Sequence, residues 1–384
     1  MNIGKPYIKI AITFFYFFFI ICLSVYSFIK PYYSYDLIPY TAVTLSLSED
    51  DPQKVHAKTY DIIEKALPKE VFHNLTSGEF GRKMFEDYSS FTQQLNFYKV
   101  KPLYIALIYS LHELGIDIVK AINLISVLSF LGISILLFLF LYKLRSGAMG
   151  LILLTLLMVC QPLIFMAARN TPDALSAFMI TLALYFLLKT NLRILPGILF
   201  ILSILVRPDN LILSSLFIIY FGMFAQKEFR FKFYQAVGFL LISALVYFTV
   251  NQLAGGYGWK MLFTVSFIQF IEKPAETVVS ISFENYIKVL VGNGLKLLNT
   301  HIIYFIVIGF IALLISKVEK GFSVFNHLIL ISILGMAGYF IIFPSGEVDR
   351  YFITQYLIIL VSALSVFCQE FKLSEKKSMR SISV

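Results

Sequence analysis

Asp36 follows a nearly uncharged apolar stretch, 7–29, by only a few residues, within Tyr33-Ser34-Tyr35-Asp36-Leu37-Ile38-Pro39-Tyr40. A carboxylate at the lip of a first membrane span is placed to do acid–base chemistry at a lipid interface. Further along, Lys99 and Lys101, Arg169 and Asp173, Arg207 and Asp209, and Glu347, Asp349 and Arg350 border other apolar runs. Mixed acids and bases in that position are what a site for an anionic lipid head group requires, because ionisable groups beside a bilayer are costly without a role. Each taken alone also fits an ordinary loop or cap residue. Thr171-Pro172-Asp173, for example, reads as a helix start with proline near its first position and an acid in its first turn.

The elements that must position these residues are membrane helices. Mean hydropathy is +0.79, 58% of residues are hydrophobic and only 14% are charged. A soluble domain of that composition would lack polar surface, whereas lipid solvates it. The chain reads as an all-α polytopic bundle of about ten spans, at 7–29, 119–142, 148–167, 172–188, 194–205, 211–225, 233–253, 301–315, 325–343 and 351–367. The first is a retained anchor and not a signal peptide, since it is long enough to span and lacks a small-residue cleavage site. Ten crossings put Lys5, Lys9, Lys143, Arg145, Lys189, Arg193, Lys227, Arg230, Lys232, Lys317, Lys320 and the basic tail on one face. Basic loops mark the cytoplasmic side, so both termini are expected there. The net charge of +9 is accounted for by these loops, and no nucleic-acid module is visible.

The stretch 194–225 is too long for one perpendicular helix and short for two. Two short helices meeting at Arg207-Pro208-Asp209-Asn210 resolve this, with Pro208 as the breaker. The whole chain, 1–384, is then one transmembrane domain with a first extracytoplasmic loop at 30–118, a second at 254–300 and a basic cytoplasmic tail at 369–384. Apolar residues at helical spacing in 57–67 and 102–114, and again at Ile287, Leu290, Val291 and Leu298, predict amphipathic helices in both loops. Those at 102–114 and in the second loop are expected to lie at the interface. Gly255-Gly256-Tyr257-Gly258 precedes the second of them as a hinge, having neither the strand nor the Lys-Ser or Lys-Thr of a phosphate loop. The five histidines and three cysteines show no ligand or redox spacing, so no residue is assigned to a metal on that ground. Asn74-Leu75-Thr76 is a glycosylation sequon, relevant only in a cell with that machinery.

Four short patches resemble the GT-C glycosyltransferases, integral membrane enzymes that use polyprenyl-phosphate-linked sugars, and especially the branch of protein O-mannosyltransferases and lipid A aminoarabinose transferases. Asp36 followed by Tyr40 is similar to the family's Asp-x-x-x-Tyr after the first span, and Lys101-Pro102-Leu103-Tyr104 to its Lys-Pro entry to an interfacial helix. Ala168-Arg169-Asn170-Thr171-Pro172-Asp173 resembles the second acidic motif between spans three and four, and Arg350-Tyr351 the Arg-Tyr that opens a late span. Two departures stand out. Leu37 follows Asp36 where many members have a second acid, and Lys99-Val100 replaces the acid expected before Lys101, the position that metal-binding members use.

The resemblance implies sugar transfer from a polyprenyl-phosphate-linked donor to a glycan, lipid or protein acceptor, in a bacterial inner membrane. Such a displacement builds oxocarbenium-like charge on the sugar and negative charge on the leaving phosphate. It implies Asp36 as general base, with Asp173 orienting the acceptor or holding a divalent metal where one is bound. Lys101, Arg350 and Arg207 are the implied phosphate partners, and Tyr40, Tyr351 and Arg169 position the substrate. For Arg207 and Arg350 the alternative is snorkelling to the interface. Two other classes stay open, a transporter or flippase and a polysaccharide polymerase or ligase. The first would carry charges at mid-membrane and inverted repeats, and the second would not need Asp36 after the first span.

Overall fold

A computed structural model describes residues 4–143, 147–319 and 323–382. Arg145 and Lys320 lie outside the described residues, as do the side chains of Lys5, Lys143 and Lys317 and those of the 369–384 tail. The described chain is helical, with one isolated β-bridge between Tyr32 and Arg169.

All ten apolar stretches fall on helices. Four are long and apolar enough to cross a membrane by themselves: Tyr7–Ile29, Ile118–Tyr142, Phe233–Leu253 and Val324–Ile342. Two bent pairs raise the number to six if each is a single span, Gly150–Met158 with Gln161–Ala168 at 60° and Phe283–Asn299 with Ile302–Ser316 at 73°. The first bend falls where Pro162 opens a new helix, since proline has no N–H to give to the preceding turn. Along Phe233–Leu253 only Ala236, Phe239 and Ser243 are buried, and Leu241, Leu245 and Phe248 stand exposed. So much uncovered apolar surface needs lipid around it, and the chain has the character of a multi-pass helical membrane protein.

The remaining stretches are helices shorter than a perpendicular span. Asp173–Lys189 has 17 residues and Ile194–Val206 has 13, and Asn210–Ile219 runs into a π-helical turn, Tyr220–Phe224. The apolar part of the last helix is Ile353–Cys368, and the helix continues to Ile382 through the expected tail. Of these, Asp173–Lys189 and the stretch Ile353–Val366 are largely enclosed by their neighbours. Their short length brings polar ends inside the bundle, where partners and not water must satisfy them.

The segment 30–118 folds into seven helices around a core that includes Leu37, Tyr40, Val55, Ile63, Phe91, Tyr104 and Ile108 and continues into Ala121, Ile122, Leu175 and Val206 of the apolar helices. Asp51 starts one of these helices by accepting from the Gln53 and Lys54 N–H groups at 3.0 and 3.4 Å, just ahead of Pro52. Both predicted amphipathic helices are present here, as Pro52–Ala66 and Pro102–Glu113, and that of the second loop is Phe283–Lys296. Gly255, Gly256 and Gly258 have φ of +108°, +65° and +71°, so the hinge needs residues without a Cβ. Beyond it, the second loop lies on the first. Gln94 Nε2 donates to the Ile271 carbonyl at 2.7 Å, Lys83 pairs with Glu272 at 2.9 Å, and the Tyr257 hydroxyl donates to the Gln93 carbonyl at 2.9 Å.

Candidate functional site

The sequence-predicted residues converge through five helix ends. Arg350 opens the last helical region and lies between two carboxylates: Nη2 donates to Asp36 Oδ2, and Nε donates to Asp173 Oδ2 at 2.8 Å. Asp173 in turn accepts from Arg207 Nη1, and Arg207 Nε and Nη2 grip both oxygens of Asp209 at 3.1 and 2.7 Å. The result is one chain of ion pairs, Asp36–Arg350–Asp173–Arg207–Asp209, joining positions as far as 314 residues apart. The Asp173 and Arg207 side chains are only 4% and 7% exposed, against 16% and 14% for Asp36 and Arg350. The network is therefore driest at Asp173 and opens towards both ends, at Asp36 and at Asp209, whose side chain is 28% exposed. Buried charges persist only when paired and hydrogen-bonded, and removing one partner of such a pair typically costs about 3–5 kcal/mol.

Local geometry follows from the residues around each charge. Thr171 Oγ1 donates to Asp173 Oδ2 at 2.6 Å, and Asp173 stands in the first turn of its helix, where the N-terminal partial charge favours an acid. The loop before it is fixed by Ser126 Oγ, which donates to the Arg169 carbonyl at 2.8 Å, and by Asn170 Nδ2, which donates to Asn123 Oδ1 at 2.9 Å. Behind Arg207, Asn210 Nδ2 donates to the Ser203 carbonyl at 2.7 Å and to Ser176 Oγ at 2.8 Å, stitching the proline corner to the Asp173 helix. Arg207 does not snorkel; at this corner it faces inward.

On the other side of Asp36 is an aromatic wall. The Tyr98 hydroxyl donates to Asp36 Oδ1 at 3.3 Å, and the Tyr40 ring meets Tyr98 and Tyr104 edge-on at 5.3 and 5.0 Å. Lys101 Nζ donates to the Tyr40 hydroxyl at 2.8 Å and lies 5.0 Å from both the Tyr40 and Tyr98 ring centres. No carboxylate among the described residues pairs with it directly. Burial pushes the Lys101 ammonium down to about 8, with the nearby Asp36 charge opposing the shift. Burial raises the Tyr98 hydroxyl well above its usual range, and Asp36 raises it further. Tyr351 is stacked by guanidinium groups, with Arg207 at 5.1 Å and Arg350 at 5.4 Å from its centre.

Thus Asp36, Asp173, Lys101, Arg350, Arg207, Tyr40 and Tyr351 share one site. Arg169 stands at its edge, in the wall of an adjoining cavity with Asp173 and Arg350, its guanidinium 5.2 Å from the Tyr32 ring. Tyr98 and the clamping role of Asp209 had no sequence signal beyond proximity to Lys101 and Arg207. Asp349, named from the sequence only as one of the charges bordering the apolar runs, accepts from the Tyr356 hydroxyl at 2.9 Å and holds His301 Nδ1 at 2.6 Å. A divalent metal does not fit this arrangement. Asp36 and Asp173 already share Arg350, and among the described residues no three His, Cys, Asp or Glu side chains converge.

No protein-family model matches this chain, and neither a curated protein nor a solved structure gives a significant match. A partly exposed carboxylate beside a guanidinium that it shares with a second acid, with a buried ammonium close by, can take up a proton and neutralise an anion a few ångströms away.

Proposed function

We propose that the protein is a glycosyltransferase of the GT-C type. It moves a sugar from a polyprenyl-phosphate-linked donor to a glycan, lipid or protein acceptor at the extracytoplasmic face of a bacterial inner membrane. The observation that carries this reading is the placement of Asp36 between Arg350 and the tyrosine-boxed Lys101. Ten crossings with both termini cytoplasmic, and interfacial helices at Pro102–Glu113 and Phe283–Lys296, complete the topology. Two features support that sidedness. Asp36, Asp173, Arg207 and Arg350 meet at one end of the bundle, while Lys9 lies over the Tyr142 ring and Lys189 over Phe140 at other helix ends.

The steps follow from the charges. Asp36 accepts the proton of an acceptor hydroxyl as its oxygen bonds to the anomeric carbon, and the bond from that carbon to the phosphate oxygen breaks with its electron pair. Lys101 and Arg350 take the negative charge that develops on the phosphate. Arg350 is held by two carboxylates, so a phosphate can draw it from Asp36 while Asp173 keeps its orientation. Such a transfer would leave Asp36 free as the base. Arg207 has Nε, Nη1 and Nη2 each engaged with Asp209 or Asp173, which suits it to hold Asp173 in place.

The reading is tested at the leaving group. A hydrogen bond to a charged group contributes about 1.5–3 kcal/mol, so Lys101→Ala or Arg350→Ala should lower kcat/KM for the donor by roughly ten- to a hundredfold, whatever the acceptor. Arg350→Lys should recover part of this. Unchanged donor kinetics per folded molecule in both alanine variants would reject the phosphate site.

A further inference from the structure

A cavity of about 220 Å³ adjoins the ion-pair chain, lined by Asp173 and Arg350 but not by Lys101. Phe165, Met166 and Ile353 give it an apolar wall, and Phe165 is 41% exposed at its edge. The charges on the opposite wall can be accounted for one by one. Asp173 and Arg350 are paired with each other, Asp349 holds His301 and Tyr356, and Glu347 is exposed. Arg169 differs from these. Among the described residues its guanidinium makes no hydrogen bond or ion pair, and its Nε is buried without an acceptor. A buried donor left unmade is costly, and an arginine beside an apolar wall is a fork for an anionic oxygen pair.

We propose that this cavity is a second anion subsite. It takes the anionic head of an amphiphile at Arg169, with Arg350 on its inner side and the apolar chain along Phe165, Met166 and Ile353. Calling that amphiphile the acceptor rests on the glycosyl-transfer reading, whereas the subsite itself does not. Arg350 would then stand between two anions, the donor phosphate on the Lys101 side and the acceptor head on the Arg169 side. Acceptors lacking a negative charge near the reacting hydroxyl would be poorly held.

The test is native mass spectrometry of the full chain purified in dodecyl maltoside, a neutral amphiphile present throughout. The probes are dodecyl phosphate and inorganic phosphate. With Lys101→Ala removing the other phosphate partner, dodecyl phosphate should still bind, and adding Arg169→Gln should weaken it roughly ten- to a hundredfold. Arg169→Lys, which keeps the charge and guards against a fold defect, should retain part of the affinity. Inorganic phosphate should bind far more weakly than dodecyl phosphate. Equal binding of the two would remove the amphiphile from the proposal, and indifference to Arg169→Gln would remove the site. Wild-type protein given a polyprenyl-phosphate sugar as well should carry both ligands at once, and one-for-one displacement would mean that the cavity is the donor's own phosphate site. If no donor adduct forms while dodecyl phosphate binding still depends on Arg169, the subsite stands and the glycosyl-transfer reading fails.

Discussion

Lys101 carries the most telling titration in the site. Its folded value of about 8 lies below the ordinary 10.5 because burial disfavours the charged form. Two consequences of opposite sign follow. The donor phosphate needs the ammonium, so kcat/KM for the donor should fall as pH rises through about 8, tenfold per unit, and Lys101→Arg should abolish that limb. Stability should move the other way. The unfolded chain binds this proton more readily than the folded one, so the penalty is complete below pH 8 and disappears as pH rises towards 10.5. A pH profile of donor kinetics beside thermal unfolding of the same preparation reads both. A flat kinetic profile from pH 7 to 9.5 would mean that Lys101 does not meet the phosphate.

Helices bring the charges together by being short and closely packed. Gly197 shows how little room there is: a Cβ built there lies 2.2, 2.3 and 2.5 Å from three carbons of the Phe239 ring. Small residues at such crossings let membrane helices approach. Gly197→Ala should therefore destabilise the crossing between Ile194–Val206 and Phe233–Leu253 by about 1–3 kcal/mol despite alanine's better helix propensity. Phe239→Leu should restore most of it, and thermal unfolding in detergent decides. The proline corner at Arg207-Pro208-Asp209-Asn210 was legible because length and charge together demanded a break there. The Asp173 helix start was legible from its proline and acid. The Asp209 clamp on Arg207 was not, since two neighbouring charges in a loop pair or diverge according to packing that no local spacing encodes. Tyr98 was hidden for the same reason, its contact with Asp36 bridging 62 residues.

For the whole molecule, composition and apolar runs located apolar helices, of which four, or six with the two bent pairs, have the length to cross a membrane, while the number of crossings depends on bends that sequence does not fix. Sidedness can be measured directly. With Cys22, Cys160 and Cys368 replaced, single cysteines at Lys65, Val278 and Glu347, all exposed, should react with an impermeant reagent from outside. Cysteines at Gln226 and Lys227 should react only after the membrane is opened. Labelling of 227 from outside would invert the corner that carries Arg207 and the face assigned to the site. The most direct test of the central claim, that Asp36 takes the acceptor proton, is transfer by purified Asp36→Asn. Asparagine keeps the size and can hydrogen-bond to Tyr98, and Arg350 keeps Asp173, so folding and donor binding should survive. A general base contributes about 10² to 10⁴ in rate, and turnover should fall by that factor. Near-normal turnover in a folded, donor-binding Asp36→Asn protein would contradict the claim.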